Sequence, residues 1–258
     1  MEDISNIFKE IAKTSINKKE KRALKNKKNF KRPPYTTERC NDQFVGILKI
    51  ERKNARCSQW IESSLKDKKK RNTLHQKLKN REDLPIFVIV LESPHKDEYD
   101  MEVNDVTEPM PAMGDTGDNI QKFLPKYINK ISATYENEET SKGIGYMDIT
   151  SGIYRVLLIN AIQYQCSLGE KTELYRNEIF SKMWKNETVK KDFRFRLKQN
   201  NVRIILNACT SGKTDNTIRF LVQSEIDLCN QENCVKLHSY HPCTWQECVG
   251  IEPEGWGY

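Results

Sequence analysis

No apolar run in this 258-residue chain approaches the roughly 20 residues that a membrane-spanning helix needs. The opening MEDISNIFKE lacks the basic-then-apolar order of a secretory leader, so the expected location is the cytoplasm. Apolar residues make up only 37% of the chain while charged residues reach 31%. A core is possible, but part of the chain is expected to be solvated surface or arm. No internal repeat is visible. The eight cysteines of a cytoplasmic chain read as reduced thiols or ligands and not as a disulfide framework.

What is abundant is positive charge. The net charge is +7, and much of the excess sits in KKEKRALKNKKNFKR (18–32) and KDKKKRN (66–72). Such blocks are solvated helix faces or arms whose commonest use is counterion-releasing contact with a polyanion, nucleic acid above all. Nucleic acid is therefore the expected partner. A membrane is not, and no obligate protein partner is evident.

Residues 3–28 and 58–80 have helix-forming composition with sparse apolar positions. The breaker-rich KRPPYTTERCND separates them, and FVGILKIER (44–52) reads as one possible strand. Residues 1–82 are thus expected to form a basic, mainly helical N-terminal region. From about residue 83 the texture changes. Four short apolar runs, PIFVIVL (85–91), RVLLINAI (155–162), VRIILNA (202–208) and the weaker CVKLHSY (234–240), alternate with helix-length stretches at 118–131, 172–199 and 215–229. That alternation predicts an α/β fold over 83–258, three layers (α/β/α) with a short central parallel sheet. Ligands of such sheets bind beyond the carboxyl ends of the strands.

The residues at those ends carry chemistry. Glu92-Ser93-Pro94-His95 follows the first run, with Asp97 and Glu98 close behind. Asn160 lies within the second run, and His241-Pro242-Cys243-Thr244-Trp245 follows the fourth. Between the first two runs, PAMGDTGDNI (111–120) sets Gly114 and Gly117 around a turn leading into a helix, where free backbone N–H groups can hold a phosphate or carbonyl oxygen. A carboxylate, an amide, a histidine and a Gly turn at one sheet edge suit hydrolysis.

These segments resemble the uracil-DNA glycosylase superfamily. LESPH (91–95) matches the Glu and Pro of the family's Gly-Glu-Ala-Pro-Gly motif. PAMGDTGDNI is similar in spacing to its Pro-Phe-Val-Gly-Arg-Ala-Gly-Gln-Leu-Leu segment, and His241-Pro242-Cys243 looks like His-Pro-Ser with a thiol for the hydroxyl. The resemblance covers about 85–250. It implies that Glu92 stabilises an oxocarbenium-like sugar and handles the attacking water, and that His241 donates to the departing base. It further implies that Asn160 reads the base edge, with Ser93, Pro94, His95, Ala112 and Met113 around it. Gly114, Thr116, Gly117, Ser211, Lys213, Pro242, Cys243 and Trp245 would then meet DNA, Trp245 near a wedge that fills the gap left by a flipped base.

Four departures bear on substrate, mechanism and cofactor. Ala112 stands where the family has a stacking Phe, which implies a widened pocket. His95 replaces the Tyr or Gly after the motif proline. Ser93 stands where one branch has a catalytic Asp. The iron–sulfur cysteines of the resembling branch have no counterparts, so no cofactor is expected. Some prokaryotic members of the superfamily remove glucosylated hydroxymethylcytosines from phage DNA in antiviral defence. A bulky modified pyrimidine is the expected substrate, with uracil excision in repair as the alternative.

Other readings of the same residues stay open. VRIILNACTSGKT (202–214) has the texture of a phosphate-binding P-loop, although Asn207 stands where its first Gly belongs and little chain follows for an NTPase core. Cys229, Cys234, His238, His241, Cys243 and Cys248 suggest zinc but match no standard ligand spacing, and no metal is expected. A non-catalytic nucleic-acid binder is the third.

Overall fold

The computed structural model describes residues 3–15, 36–51, 58–99, 108–138, 149–167, 172–210, 217–229 and 234–248. Six strands form one mixed sheet in the order β2-β1-β4-β3-β5-β6. They are β1 (Gln43–Ile50), β2 (Gln59–Ser63), β3 (Ile86–Leu91), β4 (Gly152–Asn160), β5 (Val202–Asn207) and β6 (Val235–His238). β3 pairs in parallel with both β4 and β5, and β5 pairs in parallel with β6. β1 joins β4 and β2 antiparallel. The expected parallel sheet is therefore the larger part of a mixed one.

The apolar run of β3 is buried on both sides, as a central parallel strand must be. Ile86, Val88 and Val90 face one core cluster, and Phe87, Ile89 and Leu91 face another, following the two-residue period of a strand. The first cluster is covered by α1 (Ile4–Ser15), α4 (Thr172–Trp184), α5 (Glu187–Leu197) and α6 (Ile218–Asp227). The second is covered by α3 (Asp115–Glu138) and Trp245, at the start of the short α7 (Trp245–Cys248). Helices on both faces of a sheet are the arrangement that the alternating texture predicts. Asn186 breaks the 172–199 stretch into two helices, capping the second with a bond from the Thr188 N–H (2.8 Å).

The N-terminal region does not stand apart. β1 is an inner strand, and α1 buries Ile7, Phe8 and Ala12, with Phe8 stacked on Tyr164 at 5.4 Å. A break near residue 82 therefore does not divide the sheet. Residues 59–63, expected to be helical, form β2, and Gly46 explains the fit. A Cβ there would lie 2.5 Å from the Glu62 carbonyl oxygen and 2.8 Å from the Trp60 ring. The helical part of 58–80 is α2 (Lys68–Lys79), capped by Asp67, which accepts from the Lys70 N–H at 3.0 Å. Its buried stripe is Lys68, Arg71, Leu74 and Leu78. The basic block at 66–72 is thus only partly a solvated face, because Arg71 is fully enclosed.

Candidate active site

β3 is the switch point of the parallel strands, since the chain passes to β4 on one side and to β5 on the other. In open α/β sheets the crevice beyond such a point is where ligands bind. Glu92 follows the last residue of β3 and is buried, with 5% of its surface exposed. Its Oε1 accepts from Thr210 Oγ1 (2.7 Å) and from Arg176 Nη1 of α4 (3.2 Å). Its Oε2 accepts from the Thr210 N–H (2.9 Å) and lies 3.9 Å from His241 Nε2. Burial alone would raise the Glu92 pKa. His241, Arg176 and the two Thr210 bonds outweigh it and hold the carboxyl below the usual carboxylate range. Glu92 is therefore kept ionised.

His241 caps the 3-10 turn Pro242–Thr244. Its Nδ1 accepts the Cys243 backbone N–H (3.3 Å) and lies 3.0 Å from Cys243 Sγ. With Nδ1 engaged by Cys243, Nε2 is the ring nitrogen turned toward Glu92. Pro242 is buried and Cys243 exposed.

The segment after β3 is organised by Glu98, in the turn Lys96–Tyr99. Its carboxylate accepts from the His95 N–H (2.7 Å) and the Ala112 N–H (2.8 Å), tying the segment after β3 to the one before α3. Pro94 is buried, and burial pushes the Cys166 thiol up to about 12, with the Ser93 hydroxyl pulling the other way. Ala112 has φ 56° and is fully buried within the α3-side core. It does not widen the cleft as expected, because its methyl is enclosed by core side chains. The carbonyl of Ala112 rests on Gly117, where a Cβ would lie 2.0 Å away. Gly117 is thus needed for this close approach, and its own N–H is taken by the Gly114 carbonyl (2.9 Å). Thr116 is half-buried in the first turn of α3.

Asn160 closes β4 with 1% exposure. Its Nδ2 donates weakly to Cys40 Sγ (3.7 Å), while its Oδ1 has no hydrogen-bond partner among the described residues. Arg196 of α5 holds the Asn160 and Ala161 carbonyls (3.0 and 3.1 Å) and also bonds Asp42.

One expectation needs correction. Trp245 is fully buried, stacks on Tyr127 (5.0 Å, 5°) and donates its Nε1–H to the Tyr240 carbonyl (2.9 Å). A side chain so placed belongs to the core and supplies no wedge. Asn207, the first position of the P-loop reading, is tied to α6 through Arg219 O and Gln223 Oε1, both at 3.0 Å. Ser211 and Lys213 lie outside the described residues, as does the Gly212–Thr214 part of that reading. For zinc, no group of three or more His, Cys, Asp or Glu side chains among the described residues is placed to hold a metal ion. Within the zinc set, Cys229 is fully buried in the α6-side core, and burial raises both its thiol and that of Cys234. The side chain of Cys248 lies outside the described ones.

Several site residues escaped the sequence reading. Thr210 and Arg176 hold Glu92, and Arg71 donates to Met113 Sδ (3.2 Å) and the Pro111 carbonyl. Thr210 could have been sought as a residue just past the third run. Arg71 and Arg176 carry no local signal. In comparisons with protein-family models, curated proteins and solved structures, nothing matches this chain.

Proposed function

We propose that the protein is a DNA glycosylase that hydrolyses the N-glycosidic bond of a flipped-out pyrimidine and leaves an abasic site; a bulky modified base, such as glucosylated hydroxymethylcytosine, is carried by the family resemblance and not by Ala112, which lies in the core. The observation that carries this reading is the pair formed by Glu92 and His241. An ionised carboxylate and the Nε2 of an imidazole face each other across 3.9 Å at the sheet's switch point. Scission of the bond develops positive charge on the sugar and negative charge on the departing base. Glu92 meets the first need. Because Arg176 and Thr210 lower its basicity, its part is to stabilise the cation and orient water, more than to remove a proton. The Nε2–H of His241 meets the second need by donating to the leaving base. Asn160, with a donor and an orphaned acceptor on one amide, suits a base edge.

DNA contact is supported by α2, which exposes Lys69, Lys70, Lys77 and Lys79 while Arg71 anchors the helix beside Met113 and Gly114. Contacts of this kind weaken steeply with salt. The membrane plays no part in this reading, and no helix among the described residues is long and apolar enough to cross one. Uracil excision remains the alternative chemistry of the same pair. The reading is tested by incubating the protein with modified DNAs and detecting alkali-labile sites. Retention of DNA with no such product from any base would leave only a binding module.

A further inference from the structure

Cys243 differs from the other described cysteines in both exposure and company. Among the six it alone is exposed. Burial raises the thiols of Cys40, Cys166, Cys209, Cys229 and Cys234, that of Cys166 to about 12 and that of Cys234 to about 11, which keeps these five protonated and inert. Cys243 Sγ instead lies 3.0 Å from His241 Nδ1, and the opposite ring nitrogen, Nε2, lies 3.9 Å from Glu92 Oε2. The imidazole thus stands between a thiol and a carboxylate, the order in which a base sits between a nucleophile and the group that supports its charge. Glu92 is held in place by Thr210 and by Arg176, so the support is rigid.

We infer that Cys243 is a nucleophilic thiol, activated by His241 and Glu92, that is oxidised by hydroperoxides. His241 Nδ1 takes the thiol proton, and the sulfur attacks the terminal oxygen of the peroxide. The S–O bond forms as the O–O bond breaks. The departing oxygen takes the proton from His241 and leaves as water or an alcohol. Sulfur gives up two electrons, the peroxide gains them, and Cys243 becomes a sulfenic acid. A small thiol condenses with that acid to a disulfide, releasing water, and a second thiol restores Cys243 by exchange. Acyl transfer by the same three residues is not supported, because the backbone donors of the turn are spent. The Cys243 N–H bonds His241 Nδ1 (3.3 Å), the Thr244 N–H bonds the His241 carbonyl (3.0 Å), and the Trp245 N–H bonds the Pro242 carbonyl. None of the three is left to form an oxyanion hole. Peroxide cleavage needs none, since its charge develops on an oxygen that His241 protonates. This chemistry goes beyond the glycosylase reading and does not depend on it.

The test is labelling of the full chain with iodoacetamide, resolved by site with mass spectrometry, in the folded protein and in urea. An ordinary thiol is only a few per cent ionised at about pH 7, so Cys243 should react about tenfold faster folded than unfolded. A cysteine that is merely exposed gains nothing from folding. His241→Asn keeps a side-chain oxygen to cap the turn but removes the base, and it should bring the folded rate down to the unfolded one. Glu92→Gln should slow the folded rate by about threefold, because the charge that supports the imidazolium is lost. Hydrogen peroxide followed by dimedone should leave a sulfenic-acid adduct on Cys243 of the wild type, and about tenfold less in His241→Asn. A Cys243 labelled no faster folded than unfolded would overturn the inference, and that comparison decides even where a variant fails to fold. So would an undiminished rate in a folded His241→Asn, or peroxide treatment that yields no adduct at Cys243.

Discussion

Two asparagines end the strands that flank β3, and both are almost wholly buried, yet their amides live in opposite conditions. Asn207 of β5 uses its whole side chain: Nδ2 donates to Arg219 O and Gln223 Oε1, and Oδ1 accepts the Cys209 N–H at 3.2 Å. Asn160 of β4 has one weak sulfur contact and an oxygen with no partner among the described residues. The contrast extends to the whole cleft. On the β5 side Glu92 is held by Thr210 and Arg176 and faced by His241, a preorganised charge that needs no ligand to stay in place. Arg71 Nε, Tyr99 OH and Asn160 Oδ1 have no hydrogen-bond partner among the described residues. In the glycosylase proposal, chemistry draws on the first condition and recognition on the second. Saturated bonds fix a reacting group, whereas unsaturated ones are paid off only by the right partner.

Substitutions separate the two sides. Glu92→Gln keeps the shape of the β5 side but removes its charge. Glycosylase turnover should fall by about 10³-fold, read by abasic-site formation, with the fold retained but less stable at neutral pH, read by circular dichroism. Equal turnover would put the reacting group elsewhere. Asn207→Leu should destabilise the fold by about 3 kcal/mol, measured by urea unfolding, because several buried partners lose their bonds together. Gly117→Ala should cost about 1–3 kcal/mol, since the new Cβ meets the Ala112 carbonyl oxygen. Thr210→Val removes one of two Thr210 bonds to Glu92 and should slow turnover by about tenfold with little change in KM. Asn160→Leu should be the mildest for stability, within about 1 kcal/mol of wild type and of either sign. If Asn160→Leu proved as damaging as Asn207→Leu, the division of the cleft would be wrong.

The pH dependence follows from the β5 side. Glu92 has a folded pKa below its ordinary value, so its ionisation favours the native state above about pH 4. That contribution is lost as the pH falls through the folded value. Glu92→Gln should therefore flatten the acid limb of a stability profile measured by urea unfolding.

Much of the sheet was legible in the chain. β3, β4, β5 and β6 were visible as apolar runs bounded by polar residues, and Glu92, Asn160 and His241 stand out because each ends or follows such a run. β2 was not legible, because QWIES is only partly buried and sits in helix-forming composition. Arg71 was hidden inside a lysine-rich block, where nothing local separates a buried guanidinium from solvated ones. Its burial is decided by α2 packing beside Pro111 and Met113, some 40 residues away in sequence. Arg176 reaches Glu92 from a separation of 84 residues for the same kind of reason. Trp245 follows the opposite course. Its position in the motif suggested a surface role, but stacking on Tyr127 of α3 draws it into the core.

The most direct measurement is abasic-site formation by the full-length protein on duplexes carrying uracil, hydroxymethylcytosine or glucosylated hydroxymethylcytosine, with Glu92→Gln in parallel. The glycosylase proposal predicts alkali-labile sites at the glucosylated base, lost in Glu92→Gln. It would be contradicted by DNA that is bound but left intact at every base, or by cleavage that Glu92→Gln performs as well as wild type.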